Sequence, residues 1–208
     1  MCYILIKDIR GDKPMITLIS KNIVHFFIEQ EVVKLEDEEV YKYGTEMVIS
    51  TSASILVTLI ISIIFRELLY MTIFYLFFIP LRMNVGGYHA NSYEKCFVTT
   101  VSAYLLYILV LVYLSKSLFV YIGLFSIIIS LPIVFIYAPM IHKNNIINKS
   151  GVVKRKILSR VFVVVDCFII ILLLNKLDYK MTTAISLSLM MVTISMIIEI
   201  LRDWRCSQ

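Results

Sequence analysis

The chain has 208 residues, 60% of them apolar and 17% charged, with a mean hydropathy of +0.87 and a formal net charge of +5. That balance is too apolar for an ordinary soluble domain, and it predicts a single all-α, polytopic helical membrane domain over residues 1–208. The modest charge, with no basic stripe carrying interleaved aromatics, argues against a nucleic-acid partner and leaves the basic residues as topology signals and contacts for membrane lipid.

Residues 1–14 are a polar lead-in with Lys7, Asp8, Arg10, Asp12 and Lys13. They lack the apolar core and small-residue cleavage site of a secretory signal, so the chain is expected to insert through its own spans and stay whole. Over residues 15–35, Ile16, Ile19, Ile23, Phe26 and Phe27 recur at helical spacing between polar Lys21, Asn22, Glu29 and Gln30. This pattern predicts an N-terminal amphipathic helix lying on the membrane. The acidic run Glu36, Asp37, Glu38, Glu39 then breaks the pattern and is expected to be solvated.

About six transmembrane or re-entrant segments follow, over residues 47–65, 68–81, 97–114, 118–138, 157–175 and 181–201. The second falls short of the roughly 20 apolar residues that a spanning helix needs, so it reads as a short span or a re-entrant piece. With six spans and the N-terminus inside, 16 of the 20 Lys and Arg residues fall on the inner side and 4 on the outer. That bias places the polar loop 82–96 at the cytoplasmic face.

This loop is chemically unlike the others. It reads Arg82-Met83-Asn84-Val85-Gly86-Gly87-Tyr88-His89-Ala90-Asn91-Ser92-Tyr93-Glu94-Lys95-Cys96, and it joins a cation, an imidazole and a thiol to the only Gly-Gly pair in the chain. His89 and Cys96 are seven residues apart, about 10.5 Å of rise on one straight helix, so a working pair requires the chain to bend between them. Asn91 can cap a helix, with Glu94 three residues on as in a capping box. Cys96 then sits in an early helical turn, and Gly86 and Gly87 allow the preceding loop to fold back and bring the imidazole to the sulfur. Spacing alone does not decide this, because a cysteine at a helix start is more often a packed small residue and a loop histidine more often solvated. No metal or other cofactor is expected, since His89, Glu94 and Cys96 offer at most three ligands without the spacing of a zinc site. The other cysteines, Cys2, Cys167 and Cys206, form no C-x-x-C pair and no plausible disulfide framework.

The string Arg82…Gly86-Gly87-Tyr88-His89-Ala90…Cys96 resembles the signature of the accessory gene regulator B family (AgrB), bacterial membrane endopeptidases that process quorum-sensing precursor peptides. Tyr43-Gly44-Thr45-Glu46 ahead of the first span and Tyr137-Ala138-Pro139 before a basic loop resemble the family too. The resemblance runs from Tyr43 to beyond Arg160. It implies a cysteine endopeptidase in the bacterial cell membrane, with Cys96 as nucleophile, His89 as general base, and Arg82, Gly86 and Gly87 supporting the site or the substrate. It further implies a small AgrD-like precursor peptide as substrate, an acyl-enzyme passed to a peptide thiol to form a thiolactone, and a homodimeric enzyme.

Other polar residues have open readings. Asp166 lies within the fifth apolar run, where an ionised group costs about 2.5–3.5 kcal/mol on insertion scales. It can pair with a base, stay protonated or orient His89, and the structural reading stands first. Glu46 can cap the first span or support the site. The loop from Pro139 to Arg160 carries Lys143, Lys149, Lys154, Arg155, Lys156 and Arg160 without an acid. Topology and lipid contact explain it as well as the docking of an acidic precursor tail does. The alternative function is a non-catalytic peptide export or transport protein, in which Cys96→Ala would be harmless. A membrane metalloenzyme is a further rival.

Overall fold

The computed structural model describes residues 15–30, 32–86, 93–140 and 149–206. Among them it forms seven α-helices and no strand: α1 (Met15–Glu29), α2 (Glu38–Ile64), α3 (Leu68–Val85), α4 (Tyr93–Tyr113), α5 (Lys116–Tyr137), α6 (Lys149–Asn175) and α7 (Tyr179–Cys206). The six helices α2 to α7 are each long and apolar enough to cross a membrane. This is the all-α, multi-pass architecture expected of such a composition, because a helix satisfies its own backbone groups where no water can.

Several boundaries differ from the sequence reading. The amphipathic helix α1 stops at Glu29 rather than at residue 35. Its last residue is Glu29, and an acid at a helix C-terminus opposes the dipole, while Val32 and Val33 further on are β-branched. The acidic run is largely exposed, as expected. It forms the 3-10 turn Leu35–Asp37 and the first turn of α2, where negative charge favours the helix start. The second apolar segment, short on the apolar count, is an 18-residue helix in α3, about 27 Å long and sufficient to span. Loop 82–96 is correspondingly shorter. Residues Arg82 to Val85 complete α3 and Tyr93 to Cys96 open α4.

The chain groups into two compact units. The first comprises Met1–Thr58 with Ala90–Ser102. In it Ser20 on α1 donates to Oε1 of Glu46 on α2 at 3.3 Å. Along α2, Ser50, Ser54 and Thr58 recur every four residues as a buried face. Ser54 donates to the Ser50 carbonyl at 2.9 Å and Thr58 to the Ser54 carbonyl at 3.0 Å, so the hydroxyls of Ser54 and Thr58 are satisfied within their own helix.

The second unit comprises Leu59–His89 with Ala103–Gln208. Helix α7 is its centre, packed against α3, α5 and α6. Small residues let α5 and α7 approach closely: a Cβ on Gly123 would lie 3.2 Å from the Thr182 methyl group. Across α3 and α4, Phe74 packs on Tyr104 and Tyr107 with ring centroids 5.2 and 4.9 Å away. Their hydroxyls are satisfied at Ser62 (2.6 Å) and at the Tyr70 carbonyl (2.8 Å). Two turns of similar build close one end of the unit. Arg66 and Leu177 adopt positive φ (58° and 59°), and the amides after them reach back to the carbonyls of Ser62 and Leu173, as in a helix-ending Schellman turn. Lys180 ties the two turns by pairing with Glu67, and its ammonium lies 4.7 Å from the Tyr70 ring centroid.

Candidate active site

Cys96 is a free, exposed cysteine in the first turn of α4, at the start of a spanning stretch. Its carbonyl accepts the Thr100 hydroxyl at 2.9 Å, an ordinary in-helix bond that leaves the thiol uninvolved. Cys167, by contrast, is buried. The sequence distinction between a boundary cysteine and one inside an apolar run therefore corresponds to a difference in access. His89, Gly87 and the capping Asn91 lie outside the described residues.

The way α3 ends is described in detail. Arg82 lies in its last turn and donates through Nη1 to the carbonyl of Gly86, and Asn84 turns its amide back to the Pro80 carbonyl at 2.7 Å. Gly86 follows the last helical residue with φ 79°, a conformation that side chains disfavour. It also lies against the chain beyond α5, where a Cβ would come within 2.5 Å of the Met140 carbonyl oxygen. In the same place the Met140 amide donates to the Val85 carbonyl at 2.8 Å. Val85, Leu81 and Ala138 are all buried around this junction.

The structure thus brings Arg82 and Gly86 together at the start of the loop that carries His89 in the sequence. Glu46 is buried and makes its described contact with Ser20, so it links α1 to α2. Asp166 is buried midway along α6, and no described residue forms a hydrogen bond or ion pair with it. Among the described residues, no three His, Cys, Asp or Glu side chains stand together as metal ligands.

Two contacts escaped the sequence reading. One is the Met140–Val85 bond. Tyr137-Ala138-Pro139 stood out in the sequence, but not for holding α3. The other is Arg160, which donates through Nη2 to the Phe135 carbonyl at 3.0 Å and lies over the Phe135 ring, 5.3 Å from its centroid. The only sequence signal for it is Pro139, which cannot supply the amide that Phe135 would otherwise receive.

Six spanning-length helices and an exposed thiol at the end of one of them define a multi-pass helical membrane protein with a candidate nucleophile at a helix start. The chain belongs to the accessory gene regulator B family, AgrB, whose family model matches residues 20–196. Membership ties it to agr quorum-sensing peptide processing and to a small precursor peptide. No curated protein and no solved structure matches the chain.

Proposed function

We propose that the protein is a membrane cysteine endopeptidase that cleaves an AgrD-like precursor peptide, with Cys96 as nucleophile and His89 as general base. The observation that carries this reading is the exposed, free thiol of Cys96 in the first turn of α4, seven residues after the loop imidazole, in a chain of this family. The Cys96 sulfur attacks the scissile carbonyl while its proton passes to His89. Collapse of the tetrahedral intermediate breaks the C–N bond, and the leaving amine takes that proton. The acyl group remains as a thioester on Cys96 until a thiol of the peptide displaces it, closing a thiolactone. Arg82, Gly86 and Gly87 support the loop, while Glu46 and Asp166 act away from the bond-breaking step. The enzyme works as a homodimer in the bacterial cell membrane.

A thiol reagent tests this directly. In a variant whose only cysteine is Cys96, stoichiometric alkylation should abolish precursor cleavage, and prior addition of precursor should slow the alkylation. Full activity after complete modification of Cys96 would exclude it as the nucleophile.

The reactive loop faces the cytoplasm in this reading, in keeping with the 16-to-4 distribution of basic residues and with a precursor made on ribosomes. Met83 is 70% exposed beside the loop and is the natural probe. In an otherwise Cys-less protein, Met83→Cys should resist a membrane-impermeant maleimide on intact cells and react once the cells are opened. Rapid labelling of intact cells would reverse the orientation.

A further inference from the structure

The end of α5 contains a problem created by its own sequence. In a helix the Phe135 carbonyl would receive the amide of residue 139, but residue 139 is proline and has none. Arg160, one helix further on, supplies the missing donor through Nη2 at 3.0 Å and stacks its guanidinium over the Phe135 ring. The α5 terminus is therefore held from α6. Just beyond it, the Met140 amide donates to the Val85 carbonyl.

That second bond matters for α3. Were α3 to continue, the Val85 carbonyl would pair with the amide of residue 89. Met140 takes that acceptor instead. Gly86 leaves the helix at positive φ, against the Met140 carbonyl, in a contact that has no room for a Cβ. The chain's exit from α3 is thus held by Met140, just beyond α5, as well as by Arg82 within α3, and it lies three residues before His89.

We propose that Arg160 is a positioning residue for His89. By holding the last turn of α5 it fixes Met140, and Met140 fixes the point from which the His89 loop departs. The inference rests on the proposed role of His89, and Arg160 itself touches no reacting atom. It also separates Arg160 from the rest of the basic stretch, whose Lys154, Arg155 and Lys156 are exposed.

The test uses full-length protein purified in detergent with Cys96 as its only cysteine, and it reads two rates: precursor cleavage, and alkylation of Cys96 by iodoacetamide, which reports the His89–Cys96 couple without substrate. Arg160→Met should lower kcat about 10- to 100-fold with little change in KM, the scale expected of a misplaced catalytic group. It should also slow alkylation. Arg160→Lys, which keeps an N–H donor, should recover much of both. The double variant Arg160→Met/His89→Ala should alkylate no more slowly than His89→Ala alone, because one effect acts through the other. Wild-type rates in Arg160→Met, further slowing in the double variant, or an Arg160→Lys protein that is well behaved but as slow as Arg160→Met would each overturn the inference. Wild-type rates in His89→Ala would overturn the role of His89, and the inference with it.

Discussion

Cys96→Ala is expected to abolish precursor cleavage, and His89→Ala to reduce it to the same floor, while both proteins accumulate in the membrane at wild-type levels. The thiol is exposed, so its removal opens no cavity in the packed interior. A nucleophile and its base act as a unit, and losing either costs roughly 10^4-fold or more, so the double variant should be no worse than either single one. The remaining cysteines provide the contrast. Cys2→Ala, Cys167→Ala and Cys206→Ala should all stay active. Cys167→Ala, at a buried position on α6, should lose only a little stability. Precursor cleavage assayed in membranes decides the matter. Persistence of cleavage in Cys96→Ala would favour the rival reading of a peptide export protein.

The membrane architecture was legible because an apolar solvent leaves the backbone few options: long apolar runs must become helices. The ends were not legible, because an apolar run reports the thickness it must cross and not the length of the helix that crosses it. Arg82 and Asn84 read as loop, yet both serve the last turn of α3, one bonding the Gly86 carbonyl and the other the Pro80 carbonyl. The polar start of α6, from Lys149 to Lys156, is helical for the same reason: at a membrane boundary a charged side chain reaches water without breaking the helix. The loop that carries His89 stood out by composition, since it sets the one Gly-Gly pair, an imidazole and a nearby thiol between two spans. What supports that loop was hidden, because its contacts join residues far apart in sequence. Arg160 and Phe135, for example, are 25 positions apart. Only the proline after Ala138 hinted that α5 would need an outside donor.

The fate of the acyl group yields the second large effect. A precursor whose internal Cys is replaced by Ala should accumulate as a covalent adduct on Cys96, or leave slowly as a linear acid. In the proposed mechanism, attack by Cys96 turns the peptide bond into a thioester, which keeps part of its free energy. Exchange of that thioester with a peptide thiol is close to neutral, because one thioester replaces another, whereas hydrolysis is strongly downhill. Ring closure therefore wins only if it is faster. Two circumstances favour it. A thiol on the same peptide attacks at a high effective concentration, worth up to about 7–11 kcal/mol of barrier in well-oriented cases. Cys96 also stands at the start of an apolar spanning stretch, where water is scarcer than at an open surface. Removing the peptide thiol takes away the first advantage and leaves the second, so deacylation should slow sharply while acylation proceeds. Intact-protein mass spectrometry after exposure to the altered precursor would show the enzyme heavier by the acyl fragment, and unshifted in the Cys96→Ala control. Release of linear peptide at the rate seen with the natural precursor would mean that water reaches the thioester freely and that the enzyme is an ordinary hydrolase.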